Sequence, residues 1–146
     1  MVILDAHEGP YLKPLPELTD LNAPFLEGLR RHEFLVPKCL SCGDYHWIPY
    51  PACRTCQSDA LEWAPVSGDA YIYSYTVVHR AMGAFGEEAP YVIAMGELVE
   101  QPRPCLVIAQ MTGTPWQDVR VGQPIQIGFV DIPDDSATSY RWVARA

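Results

Sequence analysis

Positive charge is scarce in this sequence. Ten Lys and Arg stand against eighteen Asp and Glu, which gives a formal net charge of -8 at pH 7 over 146 residues. The longest basic run is the pair Arg30-Arg31. Proteins that bind DNA or RNA neutralise phosphates with a basic face, so this balance disfavours nucleic acid as a partner.

Long apolar runs are also missing. The first apolar stretch ends at Asp5 with no basic region before it, which excludes the pattern of a secretory signal peptide. Nowhere do 18 apolar residues run together, so no membrane span is expected. We therefore expect a cytoplasmic protein, whose thiols stay reduced and whose paired cysteines indicate a metal or redox site.

Recognisable catalytic motifs are absent as well. None of the four histidines lies in a nucleophile elbow, a metalloprotease helix or a catalytic dyad, and no Gly-rich loop links a strand to a helix. The acidic pairs Glu87-Glu88 and Asp134-Asp135 are predicted to be solvated loop charges. Cys105 stands alone in the apolar segment "CLVIAQM" and is predicted to be a small buried side chain. We expect no catalytic residue in this chain.

What is present divides the chain into three predicted parts. Residues 1–36 form an arm and a helix, residues 37–66 a cysteine-rich ribbon, and residues 67–146 a β-barrel. Prolines in the arm exclude regular structure and predict an extended path over residues 1–18. The segment "TDLNAPFLEGLRRHEF" predicts a short helix, which packs either on its own domain or on a partner protein.

The last part is predicted to be β structure. Alternation in "AYIYSYTVV" is typical of a strand, and tyrosines at alternate positions of one strand are more often core residues. Segments rich in Gly, Pro and Asp separate the candidates. A five-stranded OB-type barrel fits this count. The further strand candidates are residues 91–98, 105–111, 124–130 and 140–143.

Two Cys-x-x-Cys pairs, ten residues apart, lie in "CLSCGDYHWIPYPACRTC". Zinc favours four soft ligands in a tetrahedron, and two such turns supply four thiolates. Gly43 directly follows the first pair, where a tight metal-binding turn needs a residue that accepts a positive φ. The pattern predicts one structural zinc ion per chain, with iron or a redox dithiol pair as alternatives. The predicted ligands are Cys39, Cys42, Cys53 and Cys56.

The chemistry of this site argues against catalysis. A catalytic zinc keeps one position open for water or substrate, whereas four cysteines complete the tetrahedron. His46 lies between the pairs and could replace a ligand, but an exposed histidine is the expectation while all four cysteines are present. The metal is expected to stabilise a segment too small to fold on an apolar core alone.

One loop suggests binding. The segment "VVHRAMGAFGEEAPY" follows the tyrosine-rich strand and presents His79, Arg80 and Phe85 around two glycines. Long loops with exposed aromatic residues often bind a ligand or a partner. An ordinary hairpin connection is the alternative.

The order of these features resembles the family named domain of unknown function 35, which joins a rubredoxin-like zinc ribbon to an OB-fold. The resemblance is carried by "APFLEGLRRHEFLVPKCLSCG", "YPACRTCQSDALEWAPVSGDAYIYSYTVVHR", "PYVIAMGELVE" and "VGQPIQIGF". The four zinc ligands carry over without a gap. One departure is "EQPRPC" at residues 100–105, where relatives often have an acidic residue and glycine, so the role of that loop is open.

The resemblance implies a mainly β fold and a non-catalytic accessory subunit of a thiolase-superfamily complex. Such partners include thiolases, C-acyltransferases and aldolases that shorten steroid side chains. It further implies a hetero-oligomer that helps to place an acyl-CoA, with contacts expected at Phe25, His79, Arg80 and Phe85. Two other functions stay open: a stand-alone OB-fold module for acyl-CoA or single-stranded nucleic acid, and a small redox enzyme.

Overall fold

Eight strands and one α-helix make up the fold. A computed structural model describes all residues, 1–146. The elements in chain order are β1 (Val2–Ile3), α1 (Ala23–Arg30), β2 (Leu35–Cys39), β3 (Leu61–Pro65), β4 (Asp69–Val78), β5 (Tyr91–Leu98), β6 (Leu106–Met111), β7 (Pro124–Ile132) and β8 (Ala137–Ala144).

Five of these strands close into a barrel. They pair in the order β7-β4-β5-β6-β8, and β8 pairs back onto β7. Every pairing is antiparallel except the short parallel contact between β6 and β8, where Met111 lies opposite Trp142. The predicted five-stranded OB-type barrel is confirmed, and no helix of the fold is long and apolar enough to cross a membrane. The predicted domain boundaries after residues 36 and 66 stay predictions.

Trp142 fills the barrel interior. Its side chain is fully buried and its indole N–H donates to the Val107 carbonyl oxygen at 3.3 Å. Gly96 on β5 faces the ring, and a Cβ there would lie 2.5 Å from Trp142 Cζ2. Since Cβ atoms do not approach ring carbons so closely, only glycine fits at this position.

The last hairpin is longer than expected. β7 runs to Ile132 and β8 begins at Ala137, whereas the sequence predicted strands over residues 124–130 and 140–143. A 3-10 turn over Pro133–Asp135 is followed by Ser136 in the left-handed region, with φ of 48°, and pairing resumes at once between Ile132 and Ala137. Turn chemistry, which sequence alternation does not capture, sets these ends.

β4 departs from strict alternation. A bulge lies between Ile72 and Ser74, so side chains beyond it change faces. Tyr71 and Tyr73 are exposed, whereas Tyr75 packs against the core. The expectation that all three tyrosines belong to the core is therefore wrong for Tyr71 and Tyr73.

The N-terminal arm follows the barrel. β1 pairs in parallel with β7, the amide of His7 donates to the Asp131 carbonyl oxygen at 2.8 Å, and Lys13 pairs with Glu88 beyond β4. No helix forms over residues 1–18, as the prolines predict, and the first residues of the arm run along β7. Glu88 is exposed, as predicted for a solvated loop charge, and it also pairs with Lys13 of the arm.

An aromatic cluster joins the helix, the ribbon and the barrel. Phe34 stacks on Trp47 with ring centroids 5.7 Å apart and planes 8° apart. Phe25 of α1 and Tyr140 of β8 pack edge-on against both rings. The helix therefore packs on its own chain, and the cluster fixes the cysteine segment relative to β8.

Candidate metal centre

The four predicted ligands lie together. Their sulfur atoms are all within 4.8 Å of one another, with 3.6 Å between Cys39 and Cys56 and 3.6 Å between Cys42 and Cys53. A tetrahedral zinc with Zn–S bonds of about 2.3 Å needs sulfurs roughly 3.8 Å apart. The donor set therefore fits one tetrahedral metal ion.

Local backbone geometry favours the thiolate form at Cys39 and Cys53, whereas burial and the neighbouring cysteines raise the pKa values of Cys42 and Cys56. The Cys42 amide approaches Cys39 Sγ at 3.5 Å, and the Thr55 amide approaches Cys53 Sγ at 3.4 Å. The Cys42 amide lowers the pKa of Cys39 to about 6, and the Cys56 amide lowers the pKa of Cys53 to about 7. Gly43 has a φ of 82°, as the tight turn after the first pair requires.

His46 is buried, contrary to the expectation of an exposed side chain. It is only 9% exposed, and its Nε2 lies 3.4 Å from Cys53 Sγ. The cause is local pairing: Tyr45 bridges to Lys38 of β2, and the His46 amide donates to the Pro37 carbonyl oxygen at 2.8 Å. This pairing turns alternate side chains of the segment, including His46, towards the cysteines.

Asp44 is the second buried polar residue of this segment. Its carboxylate accepts bonds from Arg103 Nη1, at 2.9 Å to each oxygen, and from the Thr55 hydroxyl. The Thr55 hydroxyl and then the Arg103 guanidinium hold the pKa of Asp44 below its ordinary value. Asp44 follows the first cysteine pair, whereas Arg103 belongs to the β5–β6 loop of the barrel. We call this contact the Asp44–Arg103 clasp.

The Asp44–Arg103 clasp gives a structural role to the loop "EQPRPC" at residues 100–105. Arg103 reaches from that loop to a carboxylate two residues beyond Cys42, so the loop connects the barrel to the metal-binding turn. Sequence reasoning missed this contact because its partners lie 59 residues apart. The only signal in the sequence was the loop's departure from the family pattern.

Cys105 is separate from the four-cysteine cluster. It is buried among apolar side chains, and burial raises the pKa of its thiol to about 12. A thiol with so high a pKa is a poor nucleophile at neutral pH. The prediction of a small buried side chain is confirmed.

The residues expected to contact a partner or an acyl-CoA lie in two places. Phe25 is half-buried in the aromatic cluster. The others follow β4: His79 packs edge-on to Trp116, Arg80 is exposed, and Phe85 lies beneath the Lys13 ammonium at 5.4 Å. Phe85 sits in a 3-10 turn spanning Gly83–Glu88, so part of this connection is ordered rather than a long open loop.

Comparison with known proteins adds to this geometry. The ChsH2 rubredoxin-like zinc ribbon domain matches residues 26–62, and the ChsH2 C-terminal OB-fold domain matches residues 63–130. A DUF35 domain-containing scaffold protein of Methanocaldococcus jannaschii is 32% identical over 106 residues, covering 72% of this chain and 73% of that protein. The chain belongs to this DUF35 family of joined zinc-ribbon and OB-fold domains.

Two further matches are a curated enzyme subunit and a solved structure. The 3-oxo-4,17-pregnadiene-20-carboxyl-CoA hydratase alpha subunit of Mycobacterium tuberculosis is 31% identical over 121 residues, or 83% of this chain. This DUF35 chain spans little more than a third of the length of the curated hydratase subunits it matches. A solved structure, an Ltp2-ChsH2(DUF35) aldolase, matches with a TM-score of 0.75 at 23% identity over 89% of this chain and 98% of that chain. It shows the same fold.

Proposed function

We propose that this DUF35 chain is a non-catalytic accessory subunit of a thiolase-superfamily complex. The similarity to a scaffold protein over nearly three quarters of both chains carries the proposal. The partner would be a thiolase, a C-acyltransferase or a side-chain aldolase. The fold shared with the Ltp2-ChsH2(DUF35) aldolase is consistent with this proposal.

In this proposal the metal is zinc and its role is structural. Four sulfurs complete a tetrahedron, so a bound ion has no position for a substrate. Four thiolates around one divalent ion also leave a net charge of about minus two, which weakens Lewis acidity. The zinc would hold the turns that carry Asp44 and His46 against the barrel.

We also propose that the connection after β4 contacts the partner or its acyl-CoA. Arg80 is exposed and forms no ion pair within the chain, so it is available to a phosphate or a carboxylate. His79 lies exposed beside it. Phe85, half-buried in the same connection, would contribute apolar area to this contact, whereas Phe25 in the aromatic cluster would form a separate one.

A second candidate partner is an acyl-CoA hydratase. The hydratase alpha subunits are similar to most of this chain, yet they are more than twice as long. A chain of this kind could supply, as a separate polypeptide, a region that those subunits contain within a longer one. The partner would then be a hydratase subunit rather than a thiolase-like one.

Co-expression tests the proposal and separates the two partners. The full chain is expressed with a thiolase-superfamily subunit from the same genome, or with a hydratase subunit, and each mixture is separated by size. The expected result is a stoichiometric complex with the thiolase-like subunit, which is inactive or poorly soluble alone. A monomeric chain beside a fully active, independent enzyme would contradict the proposal, and a complex with the hydratase subunit alone would favour the second candidate.

A further inference from the structure

The outer face of strands β4, β5 and β6 exposes several apolar side chains to solvent. Outward positions pair across the strands: Met95 lies opposite Ser74 on one side and Ile108 on the other. Ile108 is 46% exposed, and Tyr73, which lies at the bulge, is 56% exposed. Exposed apolar side chains that lie together are one mark of an interaction site in soluble proteins.

This face is concave at its centre. A shallow depression of about 190 Å³ lies over the three strands, and its floor and walls are mostly apolar. A cavity of about 150 Å³ is enough to hold a benzene ring, so one aliphatic or aromatic side chain of a partner fits here. The lining residues are Ser74, Tyr75, Thr76, Ile93, Met95 and Ile108.

One charged group on the face indicates the chemistry of the partner. Glu97 lies on β5 opposite Tyr71, two residues beyond Met95, and it forms no ion pair within the chain. An apolar surface laid over this face would leave the Glu97 carboxylate desolvated and unpaired, which is strongly unfavourable. A matching partner therefore carries a Lys or Arg opposite Glu97.

The rest of this chain is already committed elsewhere. The arm pairs with β7 through β1, and α1 packs against Tyr140 of β8 and the ribbon aromatics. The barrel is closed, so β4 and β6 have no free edge at this face that would pair with a strand. Contacts on this face would therefore be made by side chains rather than by an added strand.

We infer that the outer face of β4–β6 is the surface on which the thiolase-superfamily subunit docks. That subunit places an apolar side chain in the depression and a cation against Glu97. This inference rests on the proposed function, because it names the surface through which that assembly forms. It is separate from the proposed contacts of His79 and Arg80 at the end of β4.

The test compares outward substitutions in the purified full chain with its zinc. Ile108→Glu and Met95→Glu place charge in the depression, and Val121→Glu makes a matched change at a side chain that is 65% exposed in the turn before β7. Affinity for the thiolase-like subunit is measured by titration calorimetry. Disrupting a central anchor of an interface lowers affinity by about 30-fold or more. We expect this for Ile108→Glu and Met95→Glu, and a change of less than about threefold for Val121→Glu, which lies outside the face.

Glu97→Gln provides a second measurement, the salt dependence of the affinity, which a folding defect would not reproduce. Removing the charge should lower affinity about tenfold at low salt and flatten its dependence on salt concentration, since the variant cannot form the ion pair across the interface. Ile108→Glu keeps Glu97, so the same flattening of the salt dependence is not expected for that variant. Zinc content and circular dichroism confirm that each variant is folded.

Each outcome has a distinct meaning. Absence of any wild-type complex refutes the proposed function and this inference together. A wild-type complex that Ile108→Glu, Met95→Glu and Glu97→Gln leave intact overturns only the docking face. A concentration-dependent dimer of this chain that Ile108→Glu abolishes, with unchanged affinity for the thiolase-like subunit, assigns the face to a second copy and also overturns the inference.

Discussion

Replacing Arg103 by alanine should destabilise the fold by about 2 kcal/mol. An exposed ion pair contributes about 1 kcal/mol or less, whereas breaking a buried one costs about 3–5 kcal/mol. The Asp44–Arg103 clasp lies between these limits, because the Asp44 side chain is 4% exposed and that of Arg103 is 57% exposed. The Thr55 hydroxyl still bonds Asp44 in the variant, which keeps the cost below the buried limit.

The assay is urea unfolding at a fixed excess of free zinc, since metal binding otherwise shifts apparent stability. A loss of about 2 kcal/mol corresponds to a fall in Tm of roughly 4–8 °C for a chain of this size. Arg80→Ala is the matched control, because Arg80 is an exposed arginine without an ion pair. It should change stability by no more than about 0.5 kcal/mol.

A double-mutant cycle isolates the clasp itself. Arg103→Ala, Asp44→Asn and the double variant should show a coupling energy of about 1 kcal/mol or more, because each single change removes the same pair. If Arg103→Ala matches wild type, or the two changes add with no coupling, then the β5–β6 loop does not hold the metal-binding turn.

The metal centre and the barrel give three further predictions. Cys53→Ser should lose zinc, solubility and complex formation together, measured by metal analysis and size exclusion; complex formation that survives zinc loss would show the metal to be dispensable. His46→Phe should weaken zinc binding about 10–100-fold in a chelator competition, since a group touching a ligand sulfur tunes the site; unchanged affinity would contradict this. The pKa of Asp131 is held below its ordinary value by His32 and Thr138, so its contribution is present above about pH 3.9 and is lost as pH falls further. Asp131→Asn should therefore cost about 0.5–1 kcal/mol at pH 7, discounted for partial exposure, with the gap to wild type closing below about pH 4 in urea titrations; a gap independent of pH would contradict the assignment.

Sequence reasoning was most effective where the physical cause is local. Two Cys-x-x-Cys turns bring their own sulfurs together, so the four ligands of the candidate metal centre were found from spacing alone. Strand β5 was predicted to its ends because alternation and flanking turn residues coincide there. The closed barrel followed from the count of such segments.

What the sequence could not show depends on distant or register-sensitive contacts. His46 is buried because its segment pairs with β2, and nothing in the residues between the cysteines fixes that pairing. Tyr75 packs against the core while Tyr71 and Tyr73 are exposed, because one bulge between Ile72 and Ser74 shifts the register of β4. The Asp44–Arg103 clasp joins the metal-binding turn to a loop that follows two barrel strands, so only the folded topology brings the pair together.

The most direct test of the proposed role is a reconstitution titration. The thiolase-superfamily subunit is purified alone, and zinc-loaded chain is added in increasing ratio while activity is followed. The accessory-subunit account predicts activity that rises and saturates at a fixed ratio of chains, with metal-free Cys53→Ser chain giving no rise. Full activity before any addition, or a rise without a saturating ratio, would contradict it.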